Sequence, residues 1–429
     1  MRKLVRTAVL AAAVSVFAPS PAAAGEQTLT FRSAAITVPG YGVAESNVLA
    51  PSPRSDGYVT AMSADVVDET GASVPITTVM LHHVVFAKIG TPDATCSRFV
   101  TYDGTPVSFP VERFYGEGEE RQALALPQGY GYPNRGSDRW ALVYMLMNHK
   151  PVAKRVFIQW TVRYVTGKSL TPVRPYWVDV ANCRADPIFD VPGTGAMFSA
   201  YSRSTQVTMP ASGHIVAAGG HLHGGGLRLE LANATCKTHL FTSRPTWGLP
   251  LVQPAIHEPG PKHMATFSTT NGIPVSAGDR LRLTAVYENS LPHTRVMGIM
   301  LLYVARGPTA PCAEAPALPA DPLSHPSAPP RIVLPLARQP AGPLQRVLSS
   351  WVTDFAYQRQ RVVLERGATF RWRFSGPSLH NVTLASGPVG FSSPSVARGS
   401  YARRFTVPGT YRLFCSLHPT QMTATVVVR

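Results

Sequence analysis

Near its end the chain reads Gly409-Thr-Tyr-Arg-Leu-Phe-Cys415-Ser-Leu-His418-Pro-Thr-Gln-Met422-Thr423, closing on Ala-Thr-Val-Val-Val428 and Arg429. The stretches 409–414 and 423–428 are short and rich in β-branched and aromatic residues, which marks them as strands. The loop between them carries a thiol, an imidazole and a thioether. Strands at 361–364, 369–374 and 400–405 precede this pair, and a further imidazole, His380, follows the second of them after a turn.

The pattern continues upstream. Stretches 58–67, 78–87, 140–147, 155–164, 227–231, 281–287 and 296–304 are short, β-branched or aromatic, and bounded by Gly, Pro, Asn or Asp. Helical i, i+3, i+4 spacing is hard to find beyond one or two turns, around 345–355. Forty prolines and 34 glycines among 429 residues favour turns over long helices. The fold class expected is all-β. Between 308 and 343, 11 of 36 residues are proline, a composition expected to form an extended, semi-rigid tether. The expected organisation is therefore a targeting segment at 1–24, two packed β-sandwich domains at 25–195 and 196–307, a linker at 308–343 and a last β-sandwich at 344–429.

Residues 1–24 read as a secretory leader. Arg2, Lys3 and Arg6 form a basic start, 8–18 an apolar core, and Ala22-Ala23-Ala24 a small-residue cleavage site. Secreted or periplasmic localisation follows as an expectation. Beyond the leader no apolar run reaches the roughly 18–20 residues that span a bilayer. The net charge of +16 comes from scattered Lys and Arg without blocks, so no nucleic-acid partner is inferred. Of five cysteines, Cys96, Cys183, Cys236 and Cys312 suffice for two bridges. Cys415 is left over, and metal ligation would explain why it stays out of a disulfide.

His380, Cys415, His418 and Met422 supply two imidazoles, a thiolate and a thioether, the donor set of a blue-copper site with a trigonal His₂Cys plane and a weak axial Met. The segment 345–429 resembles the plastocyanin and amicyanin branch of the cupredoxins, which implies one type 1 copper on these four residues. The three residues between His418 and Met422 bear on the axial bond, not on the metal.

Upstream, histidines fall in three places: Val79-Met-Leu-His82-His83-Val-Val-Phe86, Tyr144-Met-Leu-Met-Asn-His149-Lys-Pro151, and Gly219-Gly220-His221-Leu222-His223-Gly224-Gly225-Gly226. Residues i and i+2 share a strand face, so His221 and His223 make a half-site. Adjacent His82 and His83 should point to opposite faces, meeting on one metal only near a strand end or through different ring nitrogens. This series, followed by Met297 in His293-Thr-Arg-Val-Met-Gly-Ile-Met-Leu-Leu-Tyr303, resembles the copper type II, ascorbate-dependent monooxygenases. That group contains peptidylglycine α-hydroxylating monooxygenase and dopamine β-monooxygenase. The resemblance spans about 25–307 and implies two packed β-sandwich domains with one copper on each. It puts an electron-transfer copper on His82, His83 and His149 and an oxygen-binding copper on His221, His223 and Met297, with Met300 as the rival sulfur ligand. Reductive activation of O₂, hydroxylation of a small neutral substrate, and electrons from ascorbate or another external donor through the fused blue-copper domain are what it implies for function. Oligomeric state is left open.

Two departures narrow the substrate. The family's peptide-gripping arginine is Gly219 here, and the Tyr and Asn that follow its ligand Met are Leu301 and Ile299. Peptide amidation is thus not expected. With two cysteines on each side of residue 195, Cys96–Cys183 and Cys236–Cys312 is the connectivity, of three, that keeps each bridge within one domain. The alternative reading is a non-catalytic multi-copper or electron-transfer protein. A hydrolytic zinc on His221 and His223 is disfavoured because no carboxylate stands near the pair in the sequence.

Overall fold

A computed structural model describes residues 25–429 except 41, 101–105, 121–122, 151, 182, 184–186, 194–197, 249–257, 291–292, 331–339, 390, 392, 395, 416–417 and 419–421. The leader at 1–24 and the 195/196 division lie outside the described residues. The described chain is all-β, and no helix in it is long and apolar enough to cross a membrane. The expected helical turn near 345–355 is instead the strand Ser349–Thr353, buried at every second residue.

The central layer is a ten-stranded sheet whose main path runs Gly25–Arg32, Lys154–Thr166, Gly57–Val67, Tyr130–Asn134, Thr171–Asp179, Gly298–Arg306, Gly213–Leu222, Phe267–Val275. It bridges the two upstream segments, because Thr171–Asp179 pairs antiparallel with Gly298–Arg306, from Val173↔Ala305 to Asp179↔Ile299. Each face of this region carries its own core. Ile299, Leu301, Tyr303 and Ala305 join one apolar cluster, while Met300, Leu302 and Val304 join the other. A strand buried on both faces has no use for polar alternation, which explains the unbroken run from Ile299 to Ala305. Leu302 is fully buried. Leu302→Ala should cost about 2–5 kcal/mol, read as a lowered midpoint in denaturant titration.

A four-stranded sheet, Val43–Ala50, Trp140–Asn148, Val79–Ile89 and Val111–Gly118, packs on the first core. Another, Ala200–Thr208, Arg280–Glu288, Gly226–Asn233 and Thr238–Ser243, packs on the second. The terminal segment forms two four-stranded sheets around its own core, including Val352, Trp372, Phe405 and Leu413.

The bridges are Cys96–Cys183 and Cys236–Cys312, and Cys415 stands outside both. The proline-rich segment is fastened within 308–330, while 331–339 lie outside the described residues. Besides the Cys312 bridge, Asp321 accepts from the Thr266 N–H at 2.8 Å and lies 2.7 Å from His263 Nε2. Ser327 Oγ accepts from the Trp247 N–H at 3.0 Å. A chain without sheet donors has been fastened instead by side chains and a disulfide.

Candidate metal centres

In the terminal domain the last two strands pair antiparallel with Phe414 opposite Thr423, so the intervening loop begins and ends at one point. Three backbone bonds of 3.0 Å close it: Cys415 N–H to Met422 O, His418 N–H to Cys415 O, and Met422 N–H to His418 O. His380, at the end of the Thr369–His380 strand, completes the group. Its Nδ1 lies 3.1 Å from His418 Nδ1, and Cys415 Sγ lies 3.6 Å from the same nitrogen. Among the described residues this is the only group of three or more His, Cys, Asp or Glu side chains whose ligand atoms all lie within 4.8 Å of one another. Met422 is fully buried in the same apolar cluster as Cys415.

The surroundings fix which atoms face inward. Asp354 Oδ1 sits 3.1 Å from His380 Nε2, leaving Nδ1 for the centre, and that hydrogen bond lowers the Asp354 carboxyl below its ordinary range. Burial, with His380 beside it, pushes His418 down to about 4, so its imidazole is neutral and ligand-ready at pH 7. The Asn381 backbone N–H donates to Cys415 Sγ at 3.4 Å. Two imidazoles, a sulfur and a neighbouring thioether in a dry site fit a copper ion.

The adjacent pair His82 and His83 does not lie as expected. The register of Val79–Ile89 on Trp140–Asn148 slips between Leu81 and His83, making His82 the extra residue of a β-bulge. The bulge turns both rings to one side, with Nδ1 to Nδ1 at 3.1 Å. Neither a strand end nor different ring nitrogens is needed. His221 and His223 meet through Nε2 to Nε2 at 3.1 Å, as the i, i+2 rule requires. His82 then lies against His223, ring centroids 4.5 Å apart. The two half-sites, assigned to separate domains, form one run: His83, His82, His223, His221.

His149 is buried just past its strand, its backbone N–H donating to Thr78 O at 2.9 Å. The structure does not gather it with His82 and His83 into a group of mutual 4.8 Å spacing. Met297 sits in a break between the strands His293–Val296 and Gly298–Arg306. The ladder with Gly213–Leu222 ends at Leu222↔Gly298, so His223 and Met297 each lie one residue beyond it. Met297 packs in the first core and Met300 in the second, so they occupy opposite faces, as their spacing predicts.

Several residues escaped the sequence reading. Glu120 Oε1 and Oε2 lie 2.9 and 3.0 Å from His221 Nδ1, which turns Nε2 toward His223. A carboxylate therefore does stand at the pair, correcting the sequence-based exclusion. Committed to Nδ1, however, it orients the His221 ring and is not poised as a water-activating base. Gly118 makes room for this contact, because a Cβ there would lie 2.3 Å from His221 Cε1. Beside it Glu119 is fully buried, and burial, with Glu120 and Glu258 near, raises its carboxyl to about 8. Tyr287 Oη accepts from the His223 N–H at 2.9 Å and donates to Met297 O, tying these two turns together. At Gly225, with φ of +78°, a Cβ would lie 2.2 Å from His293 Cε1. His293 is itself held between Glu258 at 2.7 Å and Glu288 at 3.2 Å. Burial opposes its charge, but the two carboxylates outweigh it and raise its pKa.

A cavity of about 540 Å³ opens beside the cluster, walled by His83, His221, Met297, Trp177, Leu301 and Tyr303 among others. Gly219 and Ile299 also reach it. Its cation Arg113 is committed to Asp93 at 3.0 Å and Asp179 at 3.6 Å.

No family model matches the chain, and no curated protein matches it. Among solved structures, the reduced Cu(I) form of an amicyanin mutant is similar at 27% identity and a TM-score of 0.18, over 19% of this chain and 81% of that one. Another Cu(I) amicyanin mutant is similar at 26% identity and a TM-score of 0.18, over 20% of this chain and 84% of that one. A purple cupredoxin from Nitrosopumilus maritimus is similar at 21% identity, also at 0.18, over 19% of this chain and its whole length.

Proposed function

We propose that this chain is an exported copper-dependent monooxygenase, hydroxylating a small neutral substrate, with a blue-copper domain fused to it as electron carrier. The observation that carries the reading is the buried run of four histidines opening on an apolar cavity, in the same chain as a closed His₂Cys group. Copper held by these residues would supply O₂ activation and one-electron transfer. His82 and His83 present Nδ1, His221 and His223 present Nε2, and Met297 adds a thioether that favours the reduced ion. Glu120 holds the His221 ring, Tyr287 holds the His223 and Met297 backbones, and the apolar wall orients substrate and excludes water. His149 remains the proposed further ligand on the His82/His83 side.

Metal analysis with optical and EPR spectra of the purified protein tests the reading. Three coppers, one intensely blue, and O₂ consumption dependent on ascorbate or another reductant are expected. Copper without reductant-dependent O₂ consumption would leave a non-catalytic copper or electron-transfer protein.

Glu120→Ala should weaken copper at His221/His223 by about 10–100-fold in chelator competition, as loss of a ligand-orienting partner does. Glu120→Gln, which keeps an acceptor, should lose less. Equal affinity in all three proteins would remove Glu120 from the site.

Glycine-extended peptides should be neither bound nor turned over. Gly219, Ile299 and Leu301 offer a carboxylate nothing, and Arg113 already serves two aspartates. Saturable hydroxylation of such a peptide would overturn this assignment of the cavity wall.

A further inference from the structure

Met80, Met145 and Met147 form a small buried cluster of their own, apart from the large cores, with half-buried Val43 against it. The strand registers explain why. Met147 faces Met80 on one side and Val43 on the other, and Met145 faces His83. Along Trp140–Asn148 the even positions Leu142, Tyr144 and Leu146 go to the first core. The alternate positions place Met145 and Met147 on the opposite face. The thioethers and His83 thus share one face of the sheet. Val43 also packs against the core of the terminal domain, so the thioethers lie between that domain and the histidine run.

A core asks only for volume and shape, which Leu, Ile and Val fill with better-defined rotamers than Met. The large cores follow that preference, holding Met62 and Met297 in one and Met209, Met264 and Met300 in the other among many branched and aromatic side chains. In the small cluster every fully packed member is a thioether. Thioethers are soft, neutral donors that select Cu(I) over Cu(II) and zinc. We infer that Met80, Met145 and Met147 hold a further monovalent copper, at a site distinct from the histidine and His₂Cys centres and independent of whether the chain oxygenates anything.

Silver(I), which mimics Cu(I) without redox chemistry, is the probe. Full-length protein and the Met80→Leu/Met145→Leu/Met147→Leu variant would be titrated with Ag(I) and counted by native mass spectrometry. The variant should bind one Ag(I) fewer, with the Cu(II) complement and blue band unchanged. Equal Ag(I) counts in two proteins of equal melting temperature would overturn the site. Should the triple variant fail to fold, Met147→Leu alone serves. It should weaken one Ag(I) by about tenfold or more, as loss of even an outer-shell partner does, and an unchanged affinity would overturn the site equally. Loss of oxygenase activity plays no part in either outcome, so the two proposals fail separately.

Discussion

Cys415→Ala is expected to abolish the intense visible absorption of the copper-loaded protein and to leave unchanged any copper held by the upstream histidines. The other four cysteines are committed to Cys96–Cys183 and Cys236–Cys312, so no second thiolate remains to colour the metal. Cys415 lies 3.6 Å from His418 Nδ1, close enough to share one ion with His418 and His380. Its Sγ also accepts the Asn381 N–H, a bond that tunes the electron density on sulfur. The loss should be confined to the terminal domain, because the histidine run shares no ligand with it. Stability is a separate readout. Cys415 is fully buried in the terminal core, and removing one sulfur leaves a small void costing on the order of 1 kcal/mol. Blue colour surviving the substitution would sink the assignment of this centre.

The donor residues were legible because each lies in a local pattern: i, i+2 histidines, a Cys-x-x-His loop between strands, a methionine at the head of an apolar run. Their mutual placement was not. His82 and His83 share one side only through a bulge, and nothing in Val79–Ile89 announces which residue is the extra one. The meeting of His82 with His223 and of Glu120 with His221 joins residues more than 100 positions apart, through sheet packing that no local period encodes. Two strands that deliver these contacts look unlike strands. Gly213–Leu222 is half Gly and Ala, and Val111–Gly118 is charged, yet both are largely buried. Gly118 is small because a ring lies on it, a reason visible only in three dimensions. The strand expected at 296–304 was read correctly in position, but it breaks at Met297, where Tyr287 takes the backbone carbonyl. That break frees the side chain from the pleat beside the histidines.

If the chain is the oxygenase proposed, Met297→Ala should abolish O₂ consumption while sparing any copper held by His82 and His83. Met297 shares the cavity wall with His221 and His83, and Tyr287 fixes its backbone to that of His223. Removing the thioether would take away the donor that favours the reduced ion at the proposed O₂ site. Met300→Ala offers the matched control. Its side chain is fully buried in the other core, three residues along and on the opposite face, so its loss should cost about 2–5 kcal/mol of stability and leave copper binding unaltered. Met297 is equally buried, in the first core, so both variants should lose stability. The axis that separates them is reductant-dependent O₂ consumption, lost only in Met297→Ala. The opposite ranking would move the sulfur ligand to Met300 and would require the Gly298–Arg306 strand to turn over. Its ladder with Gly213–Leu222, from Gly213↔Arg306 to Leu222↔Gly298, argues against that, because a one-residue slip would throw Ile299, Leu301 and Tyr303 out of the first core together.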